Sequence, residues 1–461
     1  MVSRISQPSR AIGRAARVLL AHAPLETREI RISYSMRDLP VSTYVFFDVP
    51  LLQRYFNGTA SRSQLAQHVS IELANPAADR PARPDIDALM ASLEDARAAV
   101  LSKGDQGDVT LLRAEDSKQN RFGLRPQLGT YLNDPSGAFH YDFNLLGTVD
   151  RNLGNRLFLK GAVQLTLAED ISNVTQPSNS QLPHVRSDIA DYKGAGNFKL
   201  GRLLFNKFYH LDSGVYGRLS AGFYEEMYAG TGGQILYAPA RSPWAADLSV
   251  DALAQRDTRG WFGFRDYRTV TAIGTLHYRL AKGLTARARV GRFLARDEGV
   301  RLELARRFQS GVEFGVWYTV TNGNDITTPG SPSSPYYDKG VFLSLPFAPM
   351  LPYDSQMGSG FSIAPWTRDV GQLVASPEDL YGMLENPLIR NLQDRDSLVG
   401  LGDIADDYGL PSLGTSIFDR PLWDITRHDT AESFGLLGQS RFWKATGAGL
   451  LATALSSSLA R

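Results

Sequence analysis

Between about residues 121 and 375 the chain repeats one pattern, a strand-length stretch in which every second residue is apolar, followed by a polar break. In the clearest run, Phe139, Tyr141, Phe143, Leu145, Gly147 and Val149 alternate with His140, Asp142, Asn144, Leu146, Thr148 and Asp150. A period of two places the two sets on opposite faces of a strand. Leu157, Leu159, Gly161, Val163, Leu165 and Leu167 repeat the pattern against Phe158, Lys160, Ala162, Gln164 and Thr166. These runs exceed the roughly 5–6 residues of an ordinary strand. They fit the roughly 9–11 tilted residues that cross a bilayer in a barrel with an apolar outside and a wet inside.

The spacing predicts strands near 121–132, 138–150, 155–168, 196–208, 213–227, 233–239, 244–256, 266–280, 284–296, 299–308, 311–322 and 337–347, with weaker ones near 358–366 and 368–375. Short breaks near 151–155, 211–213, 281–283 and 309–311 alternate with longer ones at 169–195, 257–265 and 322–336, as turns and loops do on the two sides of a membrane barrel. The expected fold is mainly β: an outer-membrane antiparallel β-barrel of about 12–14 strands over residues 119–376, preceded by a small α+β periplasmic domain. An even strand number returns both ends of the barrel to the short-turn side.

Residues 1–118 have another rhythm. Stretches 11–23, 51–56 and 61–73 read as helical, with Ser61, Ser63 and Gln64 as start signals, and 29–34 and 41–49 read as strands. A Pro-rich linker over 75–84 precedes a helical run at 85–102. Residues 377–461 return to a helical and irregular composition and form a C-terminal tail to which no role is assigned.

Composition narrows the class. Among 461 residues, Lys+Arg 49 and Asp+Glu 48 nearly cancel, which leaves no electrostatic case for a nucleic-acid partner. Cysteine is absent, removing disulfides, thiolate metal sites and cysteine nucleophiles. No run approaches the roughly 18 apolar residues of a membrane helix, which leaves a barrel untouched because its strands alternate. The opening Met1-Val2-Ser3-Arg4 is followed by a stretch carrying Arg14 and Arg17, and no apolar core precedes a cleavage site. Since an outer-membrane barrel needs an export signal, the chain is expected to be a piece of a longer protein.

Several segments carry a resemblance. Gly232-Gly233-Gln234-Ile235-Leu236-Tyr237 is followed by Gln255-Arg256-Asp257 and by Phe264-Arg265-Asp266-Tyr267. Next come Gly291-Arg292-Phe293-Leu294-Ala295-Arg296-Asp297-Glu298-Gly299, Arg306-Arg307-Phe308-Gln309-Ser310-Gly311 and Asp338-Lys339-Gly340, and Arg368-Asp369-Val370-Gly371-Gln372 closes the series. In order and spacing, over about residues 10 to 375, they resemble the YjbH-type family of outer-membrane proteins linked to exopolysaccharide biosynthesis and capsule secretion. The resemblance implies a process without a reaction. It makes a polysaccharide, other exopolysaccharide export components and outer-membrane lipid the expected partners, in the outer membrane of a Gram-negative bacterium.

Candidate polysaccharide or lumen contacts are Arg256, Arg265, Asp266, Arg292, Arg296, Asp297, Arg301, Arg307, Asp338 and Lys339. Charged groups lining a lumen can guide an anionic polysaccharide. The plainer reading is preferred for the 292–307 set, in which Arg–Glu pairs satisfy one another inside a narrow barrel. Trp261, Phe262 and Phe264, beside Arg256 and Arg265, read as a rim girdle before a sugar-stacking platform. The histidines, His140 and His277 among them, lack metal-ligand spacing, and neither a nucleophile elbow nor a zinc motif appears. Asn173-Val174-Thr175 fits the glycosylation pattern but carries no meaning in a bacterial envelope. The expected function is non-catalytic export or surface assembly of an exopolysaccharide, with no cofactor. The alternatives are a barrel enzyme acting on an envelope glycan or lipid, or a plugged structural barrel.

Overall fold

The computed structural model describes residues 8–22, 26–73, 120–134, 137–174, 180–239, 242–281, 283–307, 312–324, 335–346, 358–363, 369–385 and 401. The expected linker at 75–84, the helix at 85–102 and nearly all of the tail beyond 385 lie outside them.

The N-terminal unit packs helix α1 (Pro8–His22) and helix α2 (Val49–Phe56) on a three-stranded antiparallel sheet of β1 (Ile30–Met36), β2 (Leu39–Phe46) and β3 (Val69–Leu73). Ile12 and Ala16, four apart on one face of α1, enter a core with Ile30, Tyr44, Phe46, Leu52 and Leu65. Asp48 caps α2 by accepting from the Leu51 amide at 2.8 Å, with Pro50 in the first turn. Ser61 and Gln64 close a reciprocal capping box, in which the Ser61 amide donates to Gln64 Oε1 at 2.8 Å. The helix expected over 61–73 ends early. Val69, Ile71 and Leu73 alternate with Ser70 and Glu72, and this period of two pairs β3 with β2.

Among the described residues the second unit is a thirteen-stranded antiparallel meander. Its strands are β4 (Asn120–Asp134), β5 (Gly137–Gly154), β6 (Leu157–Glu169), β7 (Phe198–Asp212), β8 (Val215–Phe223), β9 (Tyr228–Tyr237) and β10 (Trp244–Arg256). They continue as β11 (Phe264–Ala281), β12 (Leu284–Arg292), β13 (Glu298–Arg307), β14 (Glu313–Thr321), β15 (Asp338–Pro346) and β16 (Gly358–Ile363). Each strand pairs with the next, and β16 returns to lie against β4, so the sheet curls into a barrel.

The faces are inverted relative to a water-soluble core. Phe139, Leu165, Ile235, Leu248, Leu276, Leu302 and Phe314 are exposed on the outside. On the alternate positions His140, Asn144, Gln164, Gln234, Asp247, Thr275 and Glu303 are buried. An apolar exterior around a hydrogen-bonded polar interior is stable where the surroundings are hydrocarbon.

Of the strand expected near 368–375, the described residues 369–375 form none. The chain over 369–385 leaves the wall and threads the interior from the loop end to the turn end, finishing in the helical turn Leu380–Glu385. This strap stands in for a fourteenth strand. It returns the chain to the side on which β4 began, which an odd number of strands alone could not do.

Candidate functional site: the occupied lumen

The strap is tied to the wall along its whole length. At the loop end Asp369 is buried, and its Oδ1 accepts from the amides of Val185, Arg186 and Ser187 at 2.9, 2.8 and 3.1 Å. Its Oδ2 accepts from the Ser187 hydroxyl at 2.8 Å. Gly371, at φ +67°, turns the strap and donates its amide to Asp297 Oδ2 at 2.7 Å. A Cβ there would lie 2.5 Å from Thr319 Cγ2, so both the conformation and the space require glycine. Burial pushes the Asp297 carboxyl up, against hydrogen bonds that include this one.

Further along, Arg186 Nη2 donates to the Leu373 carbonyl at 2.7 Å, and the Ala375 amide donates to Glu225 Oε2 at 3.0 Å. From the wall, Arg218 Nη1 reaches Ser376 Oγ at 3.0 Å and also the Glu378 carbonyl. Gln234 makes two bonds to the strap, donating to Asp379 Oδ1 at 2.8 Å and accepting from the Leu380 amide at 2.9 Å. Tyr381 stacks on His277 with ring centroids 3.5 Å apart, and His277 Nε2 lies 2.6 Å from Asp247 Oδ2.

The turn end is closed by the N-terminal unit. Arg37 and Asp38 sit at positive φ in the tight β1–β2 hairpin, and this tip enters the barrel mouth. Arg37 holds Asp150 with two bonds at 2.8 and 2.5 Å and Glu378 of the strap at 3.1 Å, while Lys160 reaches the other Glu378 oxygen at 2.9 Å. Burial alone would lower the Arg37 pKa, but Glu378 and Asp150 outweigh it and raise it. Beneath these charges Leu39 and Val41 pack with Phe158, Phe208, Tyr216, Leu380 and Leu384.

The loop end is closed by the β6–β7 connection. Val185 and Tyr192 enter a core with Leu204, Tyr224, Tyr228 and Leu294. Below it Lys193 bonds Asp142 at 3.0 Å and Glu226 at 2.6 Å, and Glu226 also pairs with Lys199 at 3.1 Å. Burial would raise the Glu226 carboxyl, yet Lys193 and Lys199 outweigh it and hold it below its usual value. Between the strap and β8–β12 a polar cavity of about 250 Å³ remains, lined by Arg218, Asp247, Asp251, Thr275, His277 and Arg289.

The sequence-predicted site residues disperse. Arg301, Arg307 and Asp338 face the lumen, where Arg301 bonds Glu303 at 3.0 Å and Arg307 lies 3.9 Å from Glu313. Asp338 accepts from Trp317 Nε1 at 2.9 Å and from Thr319 at 3.2 Å. Arg256 is buried and holds the Glu225, Leu200, Gly260 and Trp261 carbonyls, which makes it a staple of the rim. Arg265 ties Asp188 of the long loop at 2.8 Å. Arg292 shares the outward side of β12 with exposed Val290, and Arg296 lines the same outer groove; Lys339 and Asp266 are exposed. The lumen placement expected for Arg292 and Arg296 is therefore corrected, because the alternation along β12 puts Arg287 and Arg289 inside and Val290 and Arg292 outside. Sequence reasoning missed Arg37, Arg218, Gln234 and Glu378 as strap anchors. Only Gln234 and Asp369 lay in segments that had drawn attention.

Among the described residues no cluster of His, Asp or Glu is placed to hold a metal ion. No described helix is long and apolar enough to cross a membrane. What fold and lumen define is an antiparallel β-barrel, apolar outside, polar inside and filled by its own chain.

Residues 2–386 match the family model YjbH, described as exopolysaccharide biosynthesis protein YbjH, and the chain belongs to that family. The "Uncharacterized lipoprotein YjbH" of Escherichia coli (strain K12) is 32% identical over 277 residues, covering 58% of this chain and 39% of that relative. The chain thus spans well under half the length of this curated relative. Among solved structures, OccK11 of Pseudomonas aeruginosa is 13% identical with a TM-score of 0.28, over 54% of this chain and 92% of that one. The outer-membrane protein OmpT of Vibrio cholerae is 10% identical with a TM-score of 0.25, over 51% and 83%.

Proposed function

We propose that the chain is a membrane-embedded segment of an outer-membrane protein that acts without catalysis in exopolysaccharide export or surface assembly, as a closed scaffold. The observation that carries this reading is the strap from Asp369 to Leu384, fixed at both ends and through the middle, inside a barrel whose outside is apolar. A wall built to pass a polysaccharide freely would leave its charges available to the chain in transit. Here Glu303, Asp338 and Glu313 already engage Arg301, Arg289 and Arg307, and Arg218 engages the strap. A non-catalytic role is supported by His277, whose ring is covered by Tyr381 and whose Nε2 is committed to Asp247. With β4 entering from the short-turn end, the N-terminal unit would face the periplasm and the long loops the outside.

The test is heat-modifiability of protein extracted from outer membranes, paired with planar-bilayer conductance of the purified chain. A heat-sensitive gel shift without steady conductance is the expected result. Steady conductance by the intact chain would refute the closed scaffold. Solubility without detergent, and no shift, would refute membrane insertion. Turnover of an envelope glycan or lipid that disappears on His277→Ala would replace the scaffold with an enzyme.

A further inference from the structure

On the barrel's outer wall, near the loop end, lies a groove of about 660 Å³. Its floor is made where bulky outward side chains give way to small ones. Nearer the turn end, β9 and β10 present Ile235, Tyr237, Leu248 and Val250 to the outside. Toward the loops the same faces carry Ala229 and Thr231 on β9 and Ala252 and Ala254 on β10, paired across the ladder as Ala254 with Ala229 and Ala252 with Thr231. Two adjacent strands of small residues make a trough roughly 10 Å wide at the usual inter-strand spacing. Phe223 walls one side, and Phe264 and Val270 the other.

The β11–β12 flank of the trough is basic. Arg268, the cross-strand partner of Ala254, lines it together with Arg292 and Arg296. Arg296 is held at φ +69° and donates from Nη2 to the Arg268 carbonyl at 2.6 Å, which fixes the two residues side by side. Arg292 Nε is buried without a hydrogen-bond partner. Exposed Asp266 and Glu298 share this outer face, Glu298 as the cross-strand partner of Arg292, yet among the described residues neither forms an ion pair with the three arginines. Three guanidinium groups along one flank of an apolar trough match an amphiphile with an anionic head and acyl chains.

Resting on the membrane reading above, we propose that this groove binds a phosphorylated, multiply acylated lipid of the outer leaflet. Its acyl chains lie on the floor formed by Thr231, Ala252 and Ala254, and its phosphate is held by Arg268, Arg292 and Arg296. Phosphate, as a tetrahedral anion with several acceptor oxygens, suits forked donors converging from two neighbouring strands and a turn.

The full chain would be reconstituted in phosphatidylcholine discs carrying lipid A, or its dephosphorylated form, and the lipid retained on release would be counted by native mass spectrometry. Retention of lipid A at least roughly tenfold above the dephosphorylated form is expected. A comparable loss is expected in the triple variant Arg268→Gln, Arg292→Gln, Arg296→Gln. Filling the floor with Thr231→Leu, Ala252→Leu and Ala254→Leu, substitutions suited to a lipid-facing surface, should also reduce retention. Equal retention of both lipids, or no loss in the triple variant, overturns the proposal. Displacement by inorganic phosphate, with retention untouched by the filled floor, reduces the site to a free-phosphate site and also overturns it. A chain that inserts with a normal heat shift but retains no excess lipid refutes the lipid site alone. Failure to insert refutes the membrane reading, and the lipid site with it.

Discussion

Removal of the Asp369 carboxylate should release the loop end of the strap while leaving the barrel intact. Asp369→Ala orphans three backbone amides and one hydroxyl in a buried place. A hydrogen bond to a charged acceptor contributes about 1.5–3 kcal/mol, but four on one carboxylate do not sum. Deleting one partner of a buried charged set costs about 3–5 kcal/mol, which serves as the ceiling here. At 1.4 kcal/mol per factor of ten, the docked-to-undocked ratio should fall by roughly two to four powers of ten. Asp369→Asn should cost far less, about 1–2 kcal/mol. Its amide oxygen can occupy the Oδ1 position and keep all three amides, and the Ser187 hydroxyl can rotate to accept from the new NH₂.

Hydrogen exchange of the detergent-solubilised full chain, read by peptide mass spectrometry, measures both variants. Amides 185–187 and 369–375 should lose protection in the order Ala, Asn, wild type, while the β10–β11 ladder stays unchanged. The ladder serves as the internal control because its backbone bonds lie in the wall and share no atom with Asp369. Unchanged protection at 185–187 in Asp369→Ala would refute the anchoring role. Equal loss in the ladder would show that the strap belongs to the barrel's folding unit, and that the local reasoning is wrong.

Arg37→Ala should loosen the β1–β2 hairpin from the barrel mouth by about 2–3 kcal/mol, with Arg37→Lys recovering less than half, because an ammonium cannot span Asp150 and Glu378 as the guanidinium does. Exchange of the hairpin amides checks this. The Glu226 carboxyl is held below its usual value, so its contribution is present above the unfolded carboxylate range, near about 4.3, and is lost as pH falls through the lower folded value. Acid should therefore destabilise the helix Ile189–Gly194, and Glu226→Gln should remove most of that acid sensitivity, as followed by exchange of amides 189–194 between pH 6 and 3. Gly371→Ala should undock the strap's first turn by about 1–3 kcal/mol, from the left-handed φ and the approach to Thr319, with the 369–375 amides as readout.

The wall was legible because its signal is a period of two repeated many times. Each repeat constrains the next through the same requirement, that apolar side chains face out and polar ones face in. Phe139 and His140, or Leu276 and His277, can be assigned to faces from the chain alone, and their exposures follow. The ends of strands were less legible. Arg292 and Arg296 read as members of the lumen ladder, although the parity of Val290 already excluded Arg292 from it. The tail of 61–73 was read as helix because five alternating residues are too few to outweigh the capping box before them.

The strap was illegible for a different reason. A segment threading a polar interior has no solvent side and no core side, so neither period applies to it. Its residues are chosen one at a time by what they meet. Asp369 meets three amides, Gly371 a crowded turn, Glu378 two cations, and Tyr381 a histidine ring. Parity was the only clue available in advance. A barrel whose chain must return to the side it entered from needs either an even strand or a path through the middle, and the even strand was assumed over 368–375. An interior passage becomes favourable when the wall supplies partners for the backbone of the returning chain, as Gln234, Arg218 and Arg186 do. Without the strap these buried groups would each lose bonds, Gln234 keeping only Asp247 and Arg186 keeping Glu225. Wall and strap are thus complementary, and a barrel carrying Arg218 and Gln234 without residues 369–385 should hold water and ions where the strap now lies.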